Sequence, residues 1–461
     1  MKQFKKTKLA TAVGTAAMAM ALSTPASAVV LGGDNGWEVS MTGFVNLFYN
    51  QGEFEIEGPT GATVNGLTKD EDTAHLNEGL LPNFLTFSAK SPTVNGLTGT
   101  AQFTAAYDSS QAKSTRNNKG GNSLDVREVF FNVEGSFGTI SLGRTLGLFQ
   151  RQAILKDMTL FGVGAFALPD QGGTTLGRIG YGYVYPEFRT RIAYKTPNVN
   201  GFQMEVGVFD PQEAFPSCVP FGAPGPYGAS CANNAESDIP QFQGEVTYNT
   251  TFQGGTVGVW ASGYWQEVDV NVGTRFAPIY TSEVESVGWN IGGDIAFGGF
   301  NIVGSYYDGE ALGVDFKHAG VNNFNTGFGS GQGVAGLFGA SGWTCGSTSC
   351  TEADNDGFYI QGSYTFGGKT KVGVSYGETN QDGSIETLGR SAAFGFNDVS
   401  HELWTVGVYH DVTSWLKLVA EYNAASQEAE CGPTAVACGA PGTKINGFDF
   451  DVFSIGGFMF F

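Results

Sequence analysis

Sixteen segments of alternating apolar and polar residues run through the chain, and the connections between them are by turns short and long. The segments fall at 37–49, 83–90, 98–108, 124–134, 138–144, 187–196, 201–210, 241–250, 256–268, 284–297, 300–308, 356–367, 370–379, 401–412, 415–424 and 448–461. Alternation with period two marks a strand whose faces meet different surroundings. The connections 92–97, 135–137, 197–200, 251–255, 298–299, 368–369 and 413–414 are turn-sized, whereas 50–82, 145–186, 211–240, 309–355 and 425–447 are long. A soluble sandwich also alternates, but nothing in its architecture sorts loops by length onto opposite rims. A closed barrel in an outer membrane does, and an even strand number returns both termini to the short-turn rim.

Individual segments carry the same signature. In 187–210, Phe188, Thr190, Ile192 and Tyr194 oppose Arg189, Arg191 and Lys195, and after the turn Phe202, Met204, Val206 and Val208 oppose Gln203, Glu205 and Gly207. Val372, Val374 and Tyr376 stand against Lys371, Gly373 and Ser375, and Leu416, Leu418, Ala420 and Tyr422 against Lys417, Glu421 and Asn423. Beyond the N-terminus no apolar run approaches the roughly 18 residues of a membrane helix, and since only helices and closed barrels satisfy every backbone polar group in hydrocarbon, insertion requires a closed barrel. The 69 glycines and 61 aromatics (7 Trp, 17 Tyr, 37 Phe) suit such a barrel better than a helical enzyme.

The first 28 residues read as a removable export signal. Lys2, Lys5, Lys6 and Lys8 precede a small-residue apolar run, and Ala26-Ser27-Ala28 has the A-x-A pattern of a cleavage site. The domain reading is therefore a signal peptide over 1–28 and an outer-membrane barrel over 29–461. Without those four lysines the net charge of −20 becomes −24, which argues against a nucleic-acid partner. Cys218 and Cys231, Cys345 and Cys350, and Cys431 and Cys438 each fall as a pair inside one long loop. In an oxidising compartment the leading assignment is three local disulfides; cross-loop pairing and free thiols remain the alternatives. The cysteine spacings and the four histidines give no metal site.

With those residues in hand, the chain resembles the general porins of Gram-negative outer membranes, trimeric sixteen-stranded diffusion channels. The run VREVFFNVEGSFGTISLGR is similar to that family's R-x-A-x-x-G-L-x-x-x-F-G-x-x-x-x-G-R strand pair. TRIAYKTPNVNGFQMEVGV is similar to its N-S-I-x-Y-x-S-P-x-x-x-G-F hairpin, and terminal Phe461, after Phe453, Ile455 and Met459, resembles its assembly signal. The resemblance implies an all-β, 16-stranded antiparallel transmembrane barrel with short periplasmic turns, long external loops and a third loop, 145–186, folded into the lumen as a constriction. It also implies a homotrimer in outer-membrane lipid and lipopolysaccharide, passing ions and small hydrophilic solutes with no cofactor. Carried over position by position, Arg127 takes the place of a wall arginine, Arg144 ends the strand entering the loop, and Arg189, Arg191 and Lys195 face the lumen. Asp157 and Asp170 are the carboxylates within the loop, beside Arg151, Lys156 and Arg178. The family's arginine on the second strand is missing near Asn83-Phe84-Leu85.

The reading that follows is a non-enzymatic diffusion channel of the outer membrane. A weak cation preference follows from the acidic balance, because fixed charge in a vestibule enriches counter-ions. The alternatives are a substrate-specific channel, for which Trp260, Tyr264 and Trp265 could form a sugar track, and an outer-membrane enzyme. Gly362–Thr370 superficially resembles a phosphate-binding loop, but Ser363 replaces the required glycine and a hairpin turn explains the run better.

Overall fold

The structure is a computed structural model that describes residues 28–56, 70–107, 125–166, 173–211, 234–274, 277–312, 343–345, 348–386, 395–431, 442–446 and 448–461. Sixteen antiparallel strands form one closed ring. They are β1 (Glu38–Ile56), β2 (Asn83–Lys90), β3 (Thr98–Tyr107), β4 (Asp125–Gly135), β5 (Gly138–Leu146), β6 (Phe188–Lys195), β7 (Phe202–Phe209) and β8 (Gln241–Phe252). The ring continues with β9 (Gly255–Thr274), β10 (Ala277–Phe297), β11 (Phe300–Glu310), β12 (Asp354–Phe366), β13 (Thr370–Glu386), β14 (Gly395–Asp411), β15 (Leu416–Cys431) and β16 (Phe448–Phe460). Each pairs with its sequence neighbours, and β1 pairs with β16 from Phe44↔Phe460 to Ile56↔Phe448, so the ring has no free edge. The last residue completes the seam: Gly43 and Phe461 exchange backbone hydrogen bonds of 2.8 and 2.9 Å.

The periplasmic turns follow from local chemistry. Asn95 and Gly96 take φ values of 53° and 78°, the paired left-handed geometry of a two-residue hairpin. Gly367 and Gly368 do the same at 56° and 68°, which makes the run that resembles a phosphate-binding loop a hairpin, as the sequence reading has it. Outward residues such as Val45, Leu47, Val129, Phe131, Ile291 and Val374 are exposed, and their strand neighbours on the other face are buried. Aromatic pairs band the outer face at two heights, Trp289–Tyr306 and Tyr376–Trp404 above and Phe297–Phe300 and Phe300–Tyr364 below. Along β10 these bands are separated by about 27 Å at roughly 3.4 Å per residue, and strand tilt brings that near the ~25 Å apolar band of a membrane barrel.

Several strands run on past the upper aromatic band, where the polarity of their faces inverts. The sequence reading ends the ninth strand at 268 and begins the tenth at 284, but β9 and β10 stay paired to Thr274↔Ala277. There Val268, Val270 and Val284 are buried inside, while Asp269, Glu283 and Glu285 are exposed outside. Outside the membrane the outer face meets water and not lipid, so the pattern that marks a membrane strand disappears while the ladder persists. A separate hairpin, Trp343–Cys345 with Cys350–Glu352, places Cys345 opposite Cys350, and Cys350 is disulfide-bonded. Cys218, Cys231 and Cys438 lie outside the described residues, and Cys431 ends β15.

Candidate channel constriction

The connection between β5 and β6 enters the barrel and packs against its inner wall. It opens with a helix, α1 (Arg151–Lys156), followed by a 3-10 turn over Met158–Phe161. Aromatic contacts press it onto the seam, with Phe161 5.5 Å from Phe458 and 6.4 Å from Phe44, and Phe166 5.9 Å from Phe450. Hydrogen bonds then tie it to strand after strand: Leu148 and Phe149 N–H to Gln243 on β8, Met158 N–H to Gln361 on β12, and Gly182 N–H to Thr379 on β13. Glu421 on β15 accepts from the N–H groups of Val163 and Gly164 at 2.9 and 3.0 Å and from the Tyr409 hydroxyl at 2.6 Å. The loop bonds to itself only in places, as where Ala165 and Gly177 pair, so wall side chains satisfy polar groups of its backbone that have no such partner.

Charged residues supply the strongest anchors. The Arg151 guanidinium reaches Glu205 on β7 at 2.8 Å and Glu245 on β8 at 2.5 Å, and Arg191 on β6 holds the other Glu205 oxygen at 2.9 Å. All four side chains are almost wholly buried. Burial by itself would lower the Arg151 pKa, but Glu205 and Glu245 outweigh it and the net shift is upward, so the arginine stays charged. A second centre lies within the loop. Asp157 accepts from the Thr159 N–H and hydroxyl at 2.9 and 2.6 Å and from the Tyr183 hydroxyl at 2.9 Å, with Arg178 Nε 3.8 Å away. Burial first, then Asp157, pushes the Tyr183 hydroxyl well above its ordinary pKa, which keeps it a donor. Arg178 also donates to the Leu403 carbonyl and the Thr405 hydroxyl of β14.

These contacts correct the charge assignments carried over by resemblance. Asp157 faces no water: its side chain is 0% exposed and caps the turn that follows it. Arg151 and Arg178 are likewise spent on packing, and Arg191 is sealed against Glu205. Arg144 is in register between Val129 and Thr190, both exposed, so it stands on the outward face and not in the lumen. Arg127 falls at a bulge in β4, paired with Asp125, donating to the Tyr185 hydroxyl and lying over the Phe188 ring. Arg189 pairs with Glu187 at 3.0 Å, and Lys195 is part-exposed on the inner face. Asp170 lies outside the described residues. Lys156 alone among the described charged residues of the loop keeps appreciable access to water, 27%, and it pairs with Asp294 of β10 at 2.6 Å.

Sequence reasoning passed over Glu245 and Asp294 and gave Glu205 and Glu421 no role, although the alternation around Glu205 and Glu421 marks them as inward. Trp260 and Tyr264 are inward but buried, the first beneath Lys156 and the second against Phe149. Trp265 instead donates to Glu285 on the exposed outer side. Much of the acidic excess also stands outside the ring. Glu310, Asp354, Asp382, Asp398 and Glu430 occupy one register row across β11–β15, on the outward face, whereas Asn355, Gln381 and Val399 beside them are buried inside.

Residues 10–430 match the family model described as Gram-negative porin. The chain belongs to the Gram-negative porin family. The sequence matches no curated protein. Among solved structures, the porin is similar to the outer membrane channel DcaP of Acinetobacter baumannii, with 13% identity, a TM-score of 0.59, and coverage of 94% of this chain and 100% of that one. It is also similar to an anion-selective porin from Comamonas acidovorans, at 13% identity and a TM-score of 0.52, over 92% of this chain and 100% of that one. At such identity the likeness concerns the fold: the porin is a sixteen-stranded outer-membrane barrel, and its family is one of passive channels.

Proposed function

We propose that the porin conducts small hydrophilic solutes and ions passively across the outer membrane, after export and cleavage behind Ala28, and that it assembles as a homotrimer in a leaflet containing lipopolysaccharide. The observation that supports this reading is the in-folded loop. One side of it is fixed by buried polar anchors, while Gln152 and Lys156 stay part-exposed. A closed ring lined in this way can pass polar solutes without any chemistry at the wall. The acid row on the outer surface weakens the argument from net charge to cation preference, because charge outside the ring does little to fill the lumen with cations. Single-channel recording of the purified protein in planar bilayers tests the proposal. Large ohmic steps indifferent to sugars are expected; saturable sugar block would shift the reading to a selective channel, and absence of conductance would refute it.

A further inference from the structure

Nearly every described cation that points into this barrel is matched to a carboxylate: Arg151 and Arg191 to Glu205, Lys156 to Asp294, Lys417 to Asp411. Lys371 differs. Among the described residues it makes no hydrogen bond or ion pair, and its Nζ lies 4.3 Å from the centroid of the Tyr409 ring while the residue stays part-exposed. The Tyr409 hydroxyl is committed to Glu421, so the ring is held flat as a platform for the ammonium.

The setting is the inner wall where the loop packs on β13. Lys371 sits in register between Thr365 of β12 and Tyr409 of β14, as the second residue of β13 after the turn at Gly367–Gly368. The next inward position, Gly373, has no side chain, and a Cβ there would meet Met158 of the loop at 3.2 Å. Beyond it Ser375 is 1% exposed with an unpartnered hydroxyl. An ammonium with three donors, engaged in no hydrogen bond or ion pair among the described residues and backed by low-dielectric walls, is a site for an anion. We propose that Lys371 holds small organic anions, bearing a carboxylate or a phosphate, as they meet the periplasmic side of the loop. This rests on the channel reading above, and it places an anion step in a chain whose overall charge is strongly negative.

The test uses the full-length mature protein in planar bilayers, with inorganic phosphate and succinate as probes added to the periplasmic side. Anion-selective reversal potentials in a salt gradient are expected, together with saturable reduction of current by both probes. Lys371→Gln should weaken that block about tenfold or more, Lys371→Arg should keep most of it, and Lys90→Gln at the periplasmic rim should leave it unchanged. Block by one probe only would identify whether carboxylate or phosphate is the preferred group. Ordinary conductance with cation-selective potentials, or block that survives Lys371→Gln, overturns the anion site while leaving the channel intact. Loss of all conductance in the unmodified protein fails the channel reading itself. A β-rich circular dichroism spectrum and unchanged unitary conductance in Lys371→Gln would show that any loss of block is not a loss of fold.

Discussion

Replacing Arg151 with alanine removes the guanidinium that bridges Glu205 and Glu245 while leaving both carboxylates in place. Glu205 keeps Arg191 at 2.9 Å, but Glu245 keeps only the Gln152 amide at 3.2 Å. Breaking one partner out of a buried ion pair costs about 3–5 kcal/mol, because an uncompensated charge is left behind. At about 1.4 kcal/mol per tenfold, that shifts the docking equilibrium of α1 by roughly 100- to 4,000-fold toward release. The remaining anchors at Gln361, Thr379 and Glu421 still hold the rest of the loop. The expected phenotype is therefore a folded barrel with a lowered thermal unfolding midpoint in detergent and noisier, larger single-channel steps. Adding Glu245→Gln to Arg151→Ala should recover part of the loss, since the orphaned charge is gone, and the two changes should depart from additivity by about 1 kcal/mol or more. Strict additivity, or an Arg151→Ala channel with unchanged stability and noise, would refute the anchoring role.

Asp157→Asn should lower thermal stability by about 1–3 kcal/mol through its buried partners yet leave the reversal potential unchanged, since no part of the side chain meets water. Lys156→Gln, in contrast, should shift the reversal potential toward cations, and Asp294→Asn should shift it the other way; no shift with either would remove this pair from the conducting path. Peptide mapping without reduction should recover Cys345 linked to Cys350, whose strands already place them opposite one another, and a link from either to another loop would contradict the local pairing. Deleting Phe461 should reduce the yield of assembled barrel, measured by protease resistance in outer-membrane fractions, because Gly43 then loses both of its backbone partners.

All sixteen strands were legible in the sequence because a membrane barrel imposes one rule over its whole height: lipid outside, other surroundings inside. The rule lapses above the aromatic band, and there the reading stopped short, at 268 on β9 and at 379 on β13, which continues to Glu386. The candidate site was less legible. A sequence shows that Asp157 lies in a loop, but whether its carboxylate meets water or caps a turn depends on Tyr183 and Arg178, which are more than twenty residues distant. One local signal was present, an aspartate two residues before a threonine at the start of a short turn, the spacing of a side-chain cap. Lys371, by comparison, looked like any other inward lysine. Its distinction is the Tyr409 ring beneath an ammonium that no carboxylate pairs, which only the packing of neighbouring strands reveals.

The seam between β1 and β16 bears on when this molecule can become itself. Phe44 finds Phe460, and Gly43 finds Phe461, across almost the whole length of the polypeptide. Until β16 has been synthesised and exported the ring cannot close, and a chain that stops short of it carries two open strand edges. Bringing such remote ends together is slow, since the entropy of a long loop must be lost before the contacts reward it. The protein therefore has an obligatory period as an unclosed, edge-exposed chain in the periplasm, when its hazard is association with other chains, and the pairing of β16 with β1 ends that period.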